Sequence, residues 1–211
     1  MLAAGRSSRM GSAKPLLDFN GTTLLERALR AAAPCERLAV VLPPELIEEV
    51  LAAPWGREHS ATLLPNLAPE RGMTHSLRLA NDALGSPETA LAVLLVDTPL
   101  VDAALVAQLA DAREAHAADV AFPVRDGQPG HPVVFGPRAR ARLATLPDGD
   151  TLQTLRDDPR LVRLPVPFAG DAPFLDLDTP EALAAALASH VAAGGDDPTR
   201  QRRAGRGSRR P

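Results

Sequence analysis

Aromatic residues are scarce in this sequence. Phe and Trp together make up 3% of its 211 residues, and tyrosine does not occur. Proteins that bind single-stranded nucleic acid stack bases on aromatic side chains, so a surface of that kind is not expected here. The formal net charge of −3 also argues against nucleic acid as the main partner, because nucleic-acid-binding surfaces are basic. The composition therefore predicts that this protein has no nucleic-acid partner.

Cysteine is limited to Cys35. One thiol cannot build a disulfide framework or a cysteine-based zinc site, and such sparing use of cysteine fits a reduced, cytoplasmic setting. No signal peptide precedes the glycine-containing N-terminal stretch, and no apolar run is long enough to span a bilayer. We therefore expect a cytoplasmic protein without a membrane partner.

Apolar residues make up 45% of the chain, and its length suits one α/β domain with a sizeable core. Three apolar runs have strand length and lack the alternation of a half-exposed sheet: 38–42, 61–64 and 90–96. Helical patterns separate these runs, which predicts a mostly parallel sheet covered on both faces. Residues 194–211 lack apolar periodicity, which predicts a disordered basic tail after a domain of residues 1–193.

Polar residues mark where several helices begin. Thr23 is followed three positions later by a glutamate, which predicts a capped helix. Asp102 and Asp150 are placed to cap two further helices. Thr179 precedes a proline and predicts the start of the last helix. The apolar residues within 174–177 predict a strand just before it.

Residues 2–14 read LAAGRSSRMGSAK and combine small residues with two basic ones. Glycine can take backbone conformations that turn successive N–H groups toward an anion, as phosphate-binding loops do. Arg9 and Lys14 would add positive charge for a polyphosphate. A flexible, solvated N-terminus is the alternative, since a glycine-containing loop alone is a weak signal. The smallest side chains would let a flat ligand lie against the backbone: Ala3, Ala4 and Gly5.

Acidic residues follow two of the predicted strands. Asp97 ends the run 90–96, at the carboxyl edge where open α/β sheets bind ligands, and a carboxylate buried there requires a cation or hydrogen-bond donors. Spacing alone supports a ligand and a helix cap equally for Asp97. Asp176 and Asp178 flank Leu177, and they too could be cation ligands or simply decorate a strand end and a cap.

The first segment resembles the signature LAAGxSxRMGxxK of the MobA-like NTP transferases. Its AAG form, followed by KPLL, is more similar to the molybdenum cofactor cytidylyltransferase branch than to the guanylyltransferase branch, which usually reads LAGG. Four later segments are similar to family segments in the same order: 66–77, 97–99, 130–135 and 176–181. Family members normally carry a buried strand before the signature, so a chain that starts at Met1 is expected either to be annotated from too late a start or to lack the central strand.

The resemblance implies a Rossmann-like, three-layer α/β/α fold of the nucleotide-diphospho-sugar transferase type. It also implies transfer of a nucleoside monophosphate from an NTP, with CTP favoured, to a phosphorylated acceptor, with release of pyrophosphate. A molybdopterin-type molybdenum cofactor is the expected acceptor, and a molybdoenzyme could receive the product. The alternatives are a guanylyltransferase, a sugar-phosphate nucleotidyltransferase, and a non-catalytic carrier of nucleotide or cofactor.

Roles for individual residues follow from the same resemblance. Arg9, Lys14 and Asp97 would be catalytic, and Asp97 with Asp178 would hold Mg²⁺, with Asp178 preferred over Asp176. The nucleotide would contact residues from three segments: Leu2, Ala3, Ala4, Gly5, Arg9, Lys14, Asn66, Gly72 and Ser76.

The acceptor is expected on the other side of the cleft, against Gly130, His131 and Pro132. Glycine there would allow a close approach, and Pro132 would fix the chain. His131 would contact an acceptor phosphate or only brace the loop, and no proton transfer is assigned to it.

Overall fold

A computed structural model describes residues 1–3, 13–147 and 149–192, and within them the chain forms seven strands and eight α-helices. The strands are β1 Leu38–Leu42, β2 Ala61–Pro65, β3 Leu91–Val93, β4 Val120–Arg125, β5 Gln128–Pro129, β6 Val133–Phe135 and β7 Arg163–Pro167. The helices are α1 Leu24–Ala31, α2 Ile47–Ala52, α3 Pro54–Glu58, α4 Gly72–Leu84, α5 Ala103–Ala115, α6 Pro137–Leu143, α7 Leu152–Arg156 and α8 Pro180–Ala192.

Residues 1–3 lie in the middle of the sheet. Leu2 forms parallel bridges with Val41 of β1 on one side and with Leu95, just beyond β3, on the other. The N–H of Leu2 donates to Leu94 O at 3.0 Å, and the N–H of Ala3 donates to Val41 O at 3.0 Å. The first three residues therefore hold the central position that the sequence suggested could be missing.

The strands are ordered β2, β1, residues 1–3, β3, β6, β4 and β7 across the sheet. Neighbours pair in parallel except at β6, which runs antiparallel to both β3 and β4. The short β5 forms an antiparallel hairpin with β4. The prediction of a mostly parallel sheet is confirmed, with β6 and β5 as the reversed strands.

Helices cover both faces of this sheet. One hydrophobic core joins α1, α5 and α8 to the side of β1 that carries Val40 and Leu42. The second core joins α4, α6 and α7 to the side that carries Ala39 and Val41. Because successive residues of a strand face opposite sides, one continuous apolar strand supplies both cores. The predicted three-layer α/β/α fold is confirmed.

Three of the predicted caps are present. The N–H of Glu26 donates to Thr23 Oγ1 at 3.1 Å, and the N–H of Leu105 donates to Asp102 Oδ1 at 2.9 Å. Each bond satisfies an amide that the first turn of a helix leaves without a backbone partner. Thr179 caps α8 in the same way.

Two local predictions are wrong. The cap of α7 is Thr151, which accepts from the N–H of Thr154 at 3.3 Å; Asp150 lies one residue earlier, and its carbonyl accepts from the Thr74 hydroxyl. Residues 174–177 form no strand. They begin in a turn and make one backbone hydrogen bond to the segment that follows β3, from the N–H of Leu177 to Asp97 O at 3.1 Å. One hydrogen bond is too few for a ladder.

Among the helices described, none combines the length and the apolar character that crossing a bilayer requires.

Arg140 of α6 is a buried cation that binds backbone carbonyls. Its side chain donates to Asn81 Oδ1 at 2.8 Å, Gly85 O at 2.7 Å, Ser86 O at 2.7 Å and Thr89 O at 3.0 Å. It is 3% exposed, and its pKa is lowered by burial. The carbonyls at the C-terminal end of α4 carry partial negative charge, which a guanidinium complements. Arg140 thus fixes the end of α4 against α6.

Replacing Arg140 should destabilise the fold strongly. We expect Arg140→Met to lower the free energy of unfolding by at least about 3 kcal/mol, because several buried acceptors lose their donor at once. Arg163→Met is the control, because Arg163 is 44% exposed and its partner Asp157 is 37% exposed; it should change stability by less than about 1 kcal/mol. Urea unfolding curves measure both values, and equal losses would contradict the assignment.

Candidate active site

A cavity of about 330 Å³ opens where the parallel strands around residues 1–3 end. Asn66 follows β2 and Asp97 follows β3, so both emerge at the same edge of the sheet. The cavity is lined by residues from the N-terminus, the loop into α4 and the segment before α8: Leu2, Ala3, Lys14, Asn66, Pro69, Gly72, Met73, Ser76, Leu95, Val96, Asp97 and Asp178.

This lining contains every predicted nucleotide-binding residue that the structure describes: Leu2, Ala3, Lys14, Asn66, Gly72 and Ser76. Ala4, Gly5 and Arg9 lie outside the described residues. The sequence did not single out four other lining residues, Pro69, Met73, Leu95 and Val96, which are apolar and carried no chemical signal. The nucleotide contacts themselves remain predictions.

Three carboxylates lie close together at this cavity, and two of them, Asp97 and Asp178, line it. Asp97, Asp176 and Asp178 each present an oxygen within 4.8 Å of the others. The alternation around Leu177 produces this arrangement, because Leu177 is fully buried and bonded to the backbone of Asp97, which turns both flanking side chains toward the Asp97 carboxylate. The sequence preferred Asp178 over Asp176 as the cation ligand; both acids belong to the cluster, and the preference stays a prediction.

Lys14 sits among these carboxylates. Its Nζ lies 2.7 Å from Asp178 Oδ1, 2.9 Å from Asp97 Oδ2 and 3.8 Å from Asp176 Oδ1. Burial alone would lower the pKa of Lys14, but the hydrogen bonds to Asp178 and Asp97 raise it above its usual value. Lys14 is therefore a charged ammonium that partly neutralises three acids.

The charge of one lysine does not balance the cluster. Burial and the negative charges of Asp97 and Asp178 raise the pKa of Asp176 to about 6. Asp97 Oδ1 is buried and has no hydrogen-bond partner among the described residues. An unbalanced set of carboxylate oxygens with an unused buried acceptor is the donor set that Mg²⁺ and Mn²⁺ prefer. The cluster therefore fits a divalent cation.

Asn66 and Ser76 are buried and bonded to each other. Asn66 Nδ2 donates to Ser76 Oγ at 2.9 Å, and Asn66 Oδ1 accepts from the N–H of Ala68 at 2.9 Å. Gly72, with a φ of +83°, opens α4 between them. Asn66 thereby fixes the loop that carries Gly72 along the cavity wall. Its side chain keeps one amide hydrogen beyond these two bonds.

The predicted acceptor segment lies beside this cavity rather than in its lining. A Cβ on Gly130 would stand 2.5 Å from Pro173 O and 2.8 Å from the Phe174 ring, so the close approach that glycine allows is to the chain itself. The N–H of His131 donates to Pro173 O at 2.9 Å, and the peptide bond to Pro132 is cis. Residues 130–132 are thus anchored to the segment that leads to Asp176.

The His131 ring lies close enough to Asp97 to feel its charge. Burial lowers the pKa of His131, the negative charge of Asp97 opposes that effect, and the positive charge of Arg156 adds to it. Nδ1 of His131 is buried without a hydrogen-bond partner among the described residues. The ring is consequently neutral at pH 7 and can donate from one nitrogen and accept at the other. The phosphate contact of His131 stays a prediction.

Curated proteins and solved structures share sequence and fold with this chain. It is 34% identical to the bifunctional protein GlmU of Hyphomonas neptunium over 52% of this chain, and it spans 24% of that protein. It is 32% identical to GlmU of Rhodopseudomonas palustris over 64% of this chain, and it spans 30% of that protein. It is similar over nearly its whole length to the molybdenum cofactor guanylyltransferase of Rhodobacter capsulatus, with 32% identity over 88% of this chain and 92% of that protein.

Among solved structures, it resembles the manganese complex of Rv0371c from Mycobacterium tuberculosis, with 26% identity and a TM-score of 0.70 over 89% of this chain and 96% of that one. The model of the MobA-like NTP transferase domain matches residues 1–163. The resemblance inferred from the sequence motifs is therefore confirmed, and this chain belongs to the MobA-like NTP transferase family.

Proposed function

We propose that this protein is a metal-dependent nucleotidyltransferase that moves a nucleoside monophosphate from an NTP to a phosphorylated small molecule. One observation carries the proposal. Asp97, Asp178 and Lys14 line a cavity built largely from the family's signature segments, and Asp176 presents an oxygen within 4.8 Å of oxygens of both acids. Transfer from a triphosphate needs this combination, because a basic side chain and a carboxylate-bound cation together hold the polyanion in place.

The three carboxylates would hold the divalent cation, for which we propose Mg²⁺. When bound, such a cation neutralises charge that builds on the phosphates during transfer. The manganese complex of Rv0371c, which this chain resembles, supports the proposal of a divalent ion. Asp97 is the central ligand in this proposal, since its buried Oδ1 has no partner among the described residues.

In the proposed reaction, a phosphate oxygen of the acceptor attacks the α-phosphorus of the NTP. The bond from that phosphorus to the bridging oxygen breaks, and pyrophosphate leaves with its electron pair. Lys14, with Arg9, would hold the phosphates and offset charge on the leaving group. The attacking oxygen is already ionised at neutral pH, so no protein base is required. Neutral His131, near Asp97, would orient the acceptor phosphate through a ring N–H.

We propose CTP as the nucleotide and a molybdopterin-type cofactor as the acceptor, with a molybdoenzyme as recipient of the product. The AAG form of the N-terminal signature supports CTP. GTP is the second candidate, because the R. capsulatus relative that this chain covers almost completely is a guanylyltransferase. The two candidates share every catalytic role given above and differ only in the base.

Pyrophosphate release identifies the nucleotide. The purified protein is mixed with Mg²⁺, molybdenum cofactor and each of CTP, GTP, ATP and UTP in separate reactions. We expect release with CTP and negligible release with the other three. Release with GTP alone would identify guanine as the base, and the proposed mechanism would stand. Binding of nucleotide without release, under every combination, would identify a carrier.

Removing either charge partner should abolish transfer without unfolding the protein. We expect Asp97→Asn and Lys14→Ala each to lower turnover by roughly 100-fold or more, because each removes an interaction with the reacting phosphates or their cation. Asp102→Asn is the matched control: asparagine caps a helix as well as aspartate does, and Asp102 lies outside the cavity lining. Near-normal turnover of Asp97→Asn would overturn the site.

The carboxylate cluster should also weaken the cation-free fold. Folding raises the pKa of Asp176 to about 6 from an unfolded value of about 4, so the folded state binds more protons between these values and stability rises as pH falls through 6. Asp176 is 54% exposed, and water screens part of the effect.

We therefore expect Asp176→Asn, in EDTA at pH 7.5, to raise the melting temperature by roughly 2–4 °C, with a smaller gain at pH 4.5. Asp171→Asn is the control, because Asp171 belongs to the same segment but is 79% exposed and paired with Arg125. Differential scanning fluorimetry at both pH values reports the difference, and a lower melting temperature for Asp176→Asn at pH 7.5 would contradict it.

A further inference from the structure

We propose that Lys14 is a displaceable counter-ion: it occupies the acidic cluster when no divalent cation is bound and moves to the triphosphate when one binds. This inference rests on the proposed function, because it takes the cluster as the cation site. It adds a consequence for binding, namely that cation and nucleotide bind cooperatively and that the cation alone binds weakly.

The distances support competition between Lys14 and a cation. Lys14 Nζ lies within 2.9 Å of one oxygen of Asp97 and one oxygen of Asp178. Mg²⁺ binds carboxylate oxygens at about 2.0–2.1 Å, so a cation on either of these atoms would stand within about 5 Å of the ammonium. Two positive charges that close repel each other in a partly buried site. This repulsion favours movement of the Lys14 side chain away from the carboxylates once a cation is bound.

The choice of side chain supports the same inference. Lys14 is the single lysine among the 23 Lys and Arg residues of this chain. Arginine presents a wide planar fork, whereas the ammonium of lysine is a compact charge on a flexible four-carbon stem. A compact charge can occupy a metal-sized position between carboxylates and swing away from it. Lys14 therefore has the kind of side chain that such an exchange requires.

Cooperativity follows from linkage. A bound triphosphate offers Lys14 alternative anionic partners, which releases Asp97 and Asp178 for the cation. If nucleotide raises the affinity for the cation, the cation must raise the affinity for nucleotide by the same factor. Without nucleotide, the cation has to displace Lys14 from two charge-assisted hydrogen bonds.

The first test measures Mn²⁺ binding to the full chain in the absence of nucleotide, from the electron paramagnetic resonance signal of free Mn²⁺. We expect Lys14→Met to bind Mn²⁺ about 10- to 100-fold more tightly than wild type, the factor that loss of charge-assisted hydrogen bonds implies. Arg156→Met is the matched control, since it removes an equal charge near His131 while Arg156 hydrogen-bonds Asp157. It should shift the affinity less than threefold.

A non-hydrolysable CTP or GTP analogue then tests the coupling. It should strengthen Mn²⁺ binding to wild type at least about tenfold, and by a clearly smaller factor in Lys14→Met, where no ammonium has to be displaced. Unchanged Mn²⁺ affinity in a folded Lys14→Met variant would overturn the inference. So would a gain in Arg156→Met equal to that in Lys14→Met, because general electrostatics would then explain both.

The second test needs no variant and therefore does not depend on how Lys14→Met folds. Protein labelled with ¹³C-lysine, on a tag without lysine, gives one lysine side-chain resonance, that of Lys14. Saturating Mg²⁺ should shift this resonance, and the nucleotide analogue should lower the Mg²⁺ concentration needed. A resonance that does not respond to saturating Mg²⁺ would overturn the inference.

The outcomes separate this inference from the proposed function. Cation-dependent displacement of Lys14 in a protein that releases no pyrophosphate with any NTP would refute the transferase and keep the counter-ion. Normal pyrophosphate release, together with a Lys14 resonance that ignores Mg²⁺, would refute the counter-ion and keep the transferase.

Discussion

The structure depends on the pairing of residues 1–3 with strands on both sides. Leu2 joins β1 to the segment after β3 through parallel bridges, and the amino group of Met1 donates to Ala39 O at 2.7 Å. Without these pairings, β1 and β2 would form a two-stranded sheet separate from the strands that follow. The candidate site lies beside the same residues, since Leu2 and Ala3 line its cavity. Sheet assembly and site formation therefore share one set of backbone hydrogen bonds.

The acidic cluster is a local conflict between stability and chemistry. Three carboxylates lie at close range, and burial together with the negative charges of Asp97 and Asp178 raises the pKa of Asp176. The surrounding fold tolerates the cluster because Leu177, between two of the acids, is fully buried in the core formed with α1 and α5. Conflicts of this kind are typical of functional sites, where residues are arranged for a ligand and not for the ligand-free protein.

Much of the fold and part of the site could be predicted from the sequence. Apolar runs gave the strands, and side-chain oxygens before helices gave caps such as Thr23 and Asp102, because these signals are local. The reversed direction of β6 and the position of residues 1–3 depend on pairings between distant segments. The inclusion of Asp176 in the cluster depends on where one buried leucine points. Such contacts are set by tertiary packing, which local patterns in a single sequence do not reveal.

Gly130 links two regions that appear independent along the chain. The space beside its Cα is filled by Pro173 and the ring of Phe174, and three residues later the same segment presents Asp176 to the carboxylate cluster. The neighbouring His131 adds a backbone hydrogen bond to Pro173. The two segments are therefore packed against each other at residues 173–174. A side chain at position 130 would clash with residues 173–174, so a substitution there would disturb the segment that carries Asp176 as well as its own loop.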